Sequence, residues 1–160
     1  MKKPFFKAEP VDASFFDSAP ERLVGTFEIA RPAADVWAEL VSDSPLSWCR
    51  ILGDGIEWTS DRPFGVGTTR TVKALKGLSE LHEYYFRWEE GRQHSFYAIE
   101  GSAPLFKRFA EDYLVEPTGE NSCRFTWTFA WEPTLMGKGP ANKWILGTLI
   151  KDTREHFNAA

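Results

Sequence analysis

Only two cysteines occur in the 160 residues, Cys49 and Cys123, and neither has a partner at a metal-ligand spacing. A disulfide framework is excluded, and both are expected as reduced, mostly buried thiols. The three histidines, His82, His94 and His156, fall on separate stretches without an H-x-x-x-H or comparable interval, so no metal centre is expected. Basic residues are scarce as well. No basic run follows Lys2-Lys3 and the net charge is -4, which opposes nucleic-acid binding, since phosphates demand clustered cations. No stretch approaches the roughly 18 consecutive apolar residues needed to span a bilayer. Pro4, Lys7, Glu9, Pro10 and Asp12 break up any secretory segment behind the two lysines. The chain is read as cytoplasmic, without stable membrane insertion, and a homodimer is left open. There is no G-x-S-x-G, P-loop or dinucleotide fingerprint: Gly65-Val66-Gly67 lacks a third glycine and opens a strand. Hydrolase, nucleotidase and dehydrogenase readings therefore have no support, and no cofactor is expected.

Aromatic residues, by contrast, are abundant. Seven Trp, thirteen Phe and four Tyr make up 15% of a chain whose 42% hydrophobic and 26% charged content suits one folded domain. Such rings line cores and ligand cavities alike. Residues 1–21 carry Pro4, Pro10 and Pro20 with the pairs Phe5-Phe6 and Phe15-Phe16 and no regular period, so they read as an extended arm docking on its own domain. Residues 22–160 form the domain. A strand over 23–29 ends at Arg31-Pro32, and Val36, Trp37, Leu40 and Val41 give a helix that Ser44-Pro45 stops. A second short helix is expected over 46–52, ended by Gly53-Asp54-Gly55.

Strands follow over about 68–75, 78–88, 93–100 and 109–116, separated by turn signals. The clearest is Cys123-Phe125-Trp127-Phe129-Trp131, whose period of two puts four rings and a thiol on one buried face. A five-residue hairpin loop, 117–121, precedes it. After Pro140, the residues Trp144, Ile145, Leu149, Thr153 and Phe157 recur at helical spacing, which predicts a long C-terminal helix.

This order resembles the START/Bet v 1-like (SRPBCC) superfamily, in its bacterial polyketide cyclase/dehydrase-like branch. The likeness rests on Glu28 through Trp37, on Phe64-Gly65-Val66-Gly67-Thr68, and on Glu116-Pro117-Thr118-Gly119 with Cys123 to Trp127. It spans residues 22–158. The resemblance implies an α+β helix-grip fold: a curved antiparallel sheet of about six to seven strands around the long last helix, with two short helices after the first strand. It further implies a cavity between sheet and helix for a lipid-, polyketide- or aromatic-like molecule.

Alternation places Glu111 inward with Phe109, Tyr113 and Val115, because the opposite set contains Asp112 and Glu116. A carboxylate among rings has its pKa raised by desolvation and serves as an acid, base or ligand hook. The alternative aims Glu111 at solvent or at Arg70, Arg108 or Arg124. The strand 78–88 does not settle its register. The resemblance favours Glu83 and Tyr85 inward, periodicity favours Tyr84, Phe86 and Trp88, and a bulge would satisfy both. The candidate ligand-binding set is Trp48, Glu83, Tyr85, Phe96, Glu111, Tyr113, Trp127, Phe129, Ile145 and Leu149, with Glu83 and Glu111 as candidate catalytic groups. Three functions compete: a non-catalytic binder, a cyclase or dehydratase in which Glu83 or Glu111 moves protons, and an interaction module with a solid interior. The absence of an obvious catalytic set favours the binder.

Overall fold

The computed structural model describes residues 4–160. One antiparallel sheet contains β1 (Phe6–Lys7), β2 (Glu21–Ile29), β3 (Ile56–Trp58), β4 (Thr69–Ala74), β5 (Ser79–Glu89), β6 (Gln93–Gly101), β7 (Phe106–Gly119) and β8 (Ser122–Pro133). Among the described residues three α-helices accompany it, α1 (Phe15–Ser18), α2 (Ala33–Leu40) and α3 (Ala141–His156), with a short 3-10 turn at Leu75–Gly77. The strand order is β2-β8-β7-β6-β5-β4-β3, with β1 attached to β6. Among the described residues, no helix is long and apolar enough to cross a membrane.

The longest ladder, β7 against β8, explains why the interior is aromatic. Phe109, Glu111, Tyr113 and Val115 stand opposite Trp131, Phe129, Trp127 and Phe125, and all of them are buried. Two of these cross-strand pairs, Phe109 with Trp131 and Tyr113 with Trp127, set ring opposite ring, and such pairs are packing units of a sheet. The expected five-residue loop is in fact a two-residue turn, Glu120-Asn121, because the strands run on to Gly119 and Ser122. A register shift between Pro117 and Gly119 absorbs the extra residue.

In β5 the alternation with Glu83 and Tyr85 inward holds, and of the opposite set, Tyr84, Phe86 and Trp88, only Trp88 turns in. Register shifts fall between His82 and Glu83 and between Tyr85 and Arg87. Glu83 and Tyr85 consequently point inward, and the strand then resets so that Trp88 also turns in, its ring 5.1 Å from that of Tyr85. Tyr84 and Phe86 stay on the outer face beside Tyr97.

The second short helix is absent: 46–52 is a run of tight turns. Leu46 takes a left-handed φ of 57°, and the bonds Cys49 N–H to Leu46 O and Leu52 N–H to Cys49 O span three residues. The three-residue apolar spacing is real, since Leu46, Cys49 and Leu52 are all buried, but it is met by turns instead of a helix. In α3, Trp144 is 69% exposed and Leu146 takes the inward place expected for it, with Leu149 and Thr153. Asn158, at φ 48°, ends that helix, and the terminal residue then pairs with β2 through Ala160 N–H to Glu28 O.

The arm packs on the domain. Ala8 N–H donates to Ile99 O and Glu9 N–H to Lys107 O, which fills the gap where β6 and β7 have separated. Ala110 and Ala130, small and paired on the outer sheet face, leave a hollow that buries Phe15 and Phe16. Arg108 lies over the Phe15 ring at 4.5 Å. Phe5 stacks on His82, whereas Phe6 remains partly exposed.

Candidate functional site: a cavity between sheet and C-terminal helix

A cavity of about 110 Å3 lies between the inner sheet face and α3. Its walls are mostly aliphatic. Leu46, Ile51 and Leu52 come from the turn segment, Val72 and Leu81 from β4 and β5, and Ile145, Leu146 and Leu149 from α3. Phe109, Glu111, Tyr113 and Trp127 close the sheet side, and Arg70 and Glu83 supply the remaining charge. The cavity thus extends beyond the last two strands and α3. An engineered apolar cavity of about 150 Å3 takes up benzene, whereas drug-sized ligands occupy about 300 Å3 or more, so this somewhat smaller space limits a ligand to about the size of a single ring. A larger groove of about 820 Å3 lies on the surface near Lys107, Lys138 and Lys143, but none of the buried, unpartnered polar atoms of the described residues belongs to its lining.

The polar groups form one buried cluster. Arg70 Nε donates to Glu83 Oε1 at 2.9 Å, and both side chains are 2% exposed. Three rings, Trp58, Tyr85 and Phe96, hold the guanidinium from 4.7 to 5.6 Å. Glu111 is bonded differently: its Oε1 accepts from Trp127 Nε1 at 2.7 Å, and among the described residues no cation bonds it directly. Burial first, then the neighbouring Glu83 charge, push the Glu111 carboxyl up to about 8, against the pull of Arg70 and Trp127. Glu83 is also raised by burial, opposed by Arg70. The pair therefore favours its proton on Glu111, which no arginine bonds, over Glu83, which Arg70 bonds.

Arg70 Nη1 and the hydroxyls of Tyr85 and Tyr113 are buried without a hydrogen-bond partner among the described residues. His94 is enclosed by the rings of Trp37, Tyr85, Trp88 and Tyr113, and among the described residues no other residue gives its two nitrogens a hydrogen bond. Burial, then the Arg70 charge, hold it well below the usual imidazole range, so it is neutral. Burial also pushes the Cys49 thiol up to about 12, which removes it as a thiolate nucleophile.

Of the residues expected at the site, Glu83, Glu111, Tyr113, Trp127, Ile145 and Leu149 line this cavity. Tyr85, Phe96 and Phe129 are fully buried in the core behind its wall. Trp48 does not reach it: its Nε1 donates to Thr153 Oγ1 at 3.0 Å and its ring stacks on His156 at 3.9 Å, which ties the turn segment to α3. Of the three arginines considered for Glu111, Arg108 pairs with Glu132 and Arg124 with Glu28, while Arg70 takes Glu83. Sequence reasoning missed Arg70 as a wall residue. The signal was present in Arg70-Thr71-Val72-Lys73-Ala74, where alternation puts Arg70 on the face of Val72 and Ala74.

The family described as polyketide cyclase / dehydrase and lipid transport matches residues 20–157. The chain belongs to that family. Membership in the polyketide cyclase/dehydrase and lipid transport family implies a cavity for a hydrophobic ligand, and residues 4–19 of the arm lie outside the matched region. An uncharacterized protein of Mycobacterium tuberculosis (strain ATCC 25618 / H37Rv) is 34% identical over 162 residues, covering 96% of this chain and 95% of its own length. Among solved structures, a START superfamily protein from Mycobacterium smegmatis superposes with TM-score 0.66 at 17% identity, covering 86% of this chain and 97% of that one. Major latex-like protein 151 from Panax ginseng does so with TM-score 0.61 at 20% identity and the same coverages. At these identities the two structures establish the shared fold alone.

Proposed function

We propose that the chain binds a small hydrophobic molecule in the cavity between sheet and α3 and holds it without chemical change. The observation that carries this reading is the apolar space of about 110 Å3 walled by Leu46, Leu52, Phe109, Trp127, Leu146 and Leu149. The two wall carboxyls are already engaged, Glu83 by Arg70 and Glu111 by Trp127, which favours a holder over a proton-transfer enzyme. One observation favours a second reading as a cyclase or dehydratase. A carboxyl pushed up to about 8 keeps its proton at neutral pH and is suited to act as a general acid. In that reading Glu111 moves the proton and Tyr113 polarises a carbonyl.

Trp127 sits at the cavity wall and reports occupancy through its emission. Trp127→Phe retains an aromatic ring and should cost about 1–2 kcal/mol of stability. Titrating single-ring and long-chain apolar compounds into both proteins is expected to give saturable binding of single-ring compounds and an emission change lost in the variant. Equal affinity and an equal emission change in both proteins would place the ligand away from Trp127 and refute the binding site. Release of an altered product from a bound compound would replace the holder by the enzyme.

A further inference from the structure

The cavity has an unequal supply of donors and acceptors. Arg70 Nη1 and the Tyr113 hydroxyl belong to residues of its wall, are buried, and have nothing to donate to. Unpaired buried donors are costly, and few survive in a fold unless another molecule satisfies them. The neighbouring carboxyls bond elsewhere, Glu83 Oε1 accepting from Arg70 Nε and Glu111 Oε1 from Trp127 Nε1, and neither accepts from Arg70 Nη1 or the Tyr113 hydroxyl. A ligand head made only of donors would leave both groups unpaired. An acceptor satisfies them.

We propose that the molecule held in the cavity is a neutral carbonyl compound of single-ring size, its oxygen accepting from Arg70 Nη1 and the Tyr113 hydroxyl and its apolar body lying against Leu52, Leu146 and Leu149. This rests on the cavity being a ligand site. Neutrality follows from the charge already there. Arg70 is matched by Glu83 at 2.9 Å, so the pair has no net charge left for a carboxylate ligand. An incoming carboxylate would bring another negative charge beside Glu83, whose charge already opposes ionisation of Glu111. A carbonyl oxygen has two lone pairs and no charge to desolvate, and so meets both donors without that cost.

The test compares three compounds of one shape, acetophenone, ethylbenzene and benzoate, by calorimetric titration at pH 7. Acetophenone is expected to bind about tenfold more tightly than ethylbenzene, the ratio set by one well-made buried hydrogen bond, and more tightly than benzoate. Tyr113→Phe removes a hydroxyl that bonds nothing in the ligand-free protein, so the variant should fold at least as stably as the parent. It should reduce the preference for acetophenone over ethylbenzene, read as the ratio of the two affinities in the same protein, to about threefold or less. Equal affinity for acetophenone and ethylbenzene, tighter binding of benzoate, or a preference that survives Tyr113→Phe overturns the inference and leaves the cavity as an apolar site. Failure of all three to bind overturns the site itself.

Discussion

Replacing Arg70 by leucine is expected to lower stability by about 3–5 kcal/mol at pH 8, the cost of leaving one member of a buried ion pair unpaired. Glu83 would then be a carboxylate with 2% exposure and no bonded cation. The rings of Trp58, Tyr85 and Phe96, which now hold the guanidinium, would lose their cation contact as well. At about 2–4 °C per kcal/mol for a chain of this size, the midpoint should fall by roughly 6–20 °C. The loss should be smaller at pH 5, where the orphaned Glu83 takes up a proton more readily. The double replacement Arg70→Met with Glu83→Leu removes both charges and should recover most of the loss, because hydrophobic isosteres often match or exceed a buried pair. Urea unfolding of the three proteins decides this. A single replacement costing under about 1 kcal/mol would mean that the pair contributes nothing in the folded state.

Glu111→Gln is expected to change the pH dependence of stability more than its value at low pH. The folded-state carboxyl lies at about 8, raised from an ordinary 4.5, so the folded protein keeps a proton that the unfolded chain releases. Stability contributed by this group is complete below about pH 4.5 and is lost as pH rises towards 8, at up to roughly 1.4 kcal/mol per unit. Glutamine cannot ionise, and its carbonyl oxygen still accepts from Trp127 Nε1. The variant should match the parent near pH 5 and exceed it by a few kcal/mol at pH 9. Parallel stability curves for the two proteins would show that the carboxylate is compensated in the fold. Lower stability of the variant at every pH, with ligand binding unchanged, would make Glu111 a structural group.

Periodicity revealed the strands well because a half-buried sheet writes burial directly into alternate residues. Cys123 through Trp131 and Phe109 through Val115 were legible for that reason, and with them the inward placement of Glu111. The 46–52 segment was not, because Leu46, Cys49 and Leu52 recur at an interval that helices and successive tight turns share. Trp48 was misplaced with it: an indole near a cavity and an indole stacked on His156 leave the same trace in a sequence. The β5 register required two shifts whose positions depend on the partners β4 and β6, which no local pattern encodes. The pairing of Arg70 with Glu83 instead of Glu111 likewise depends on β4 lying directly beside β5.

The cavity between the sheet and α3 is tested most directly by nuclear Overhauser contacts between bound ethylbenzene and methyl-labelled protein. The expected contacts run from the ring protons to the methyls of Leu46, Leu52, Leu146 and Leu149, which line the space from both sides. Contacts confined to Leu78 and Leu135, whose side chains are 82% and 85% exposed, or none at saturating ligand, would contradict a binding site in the interior.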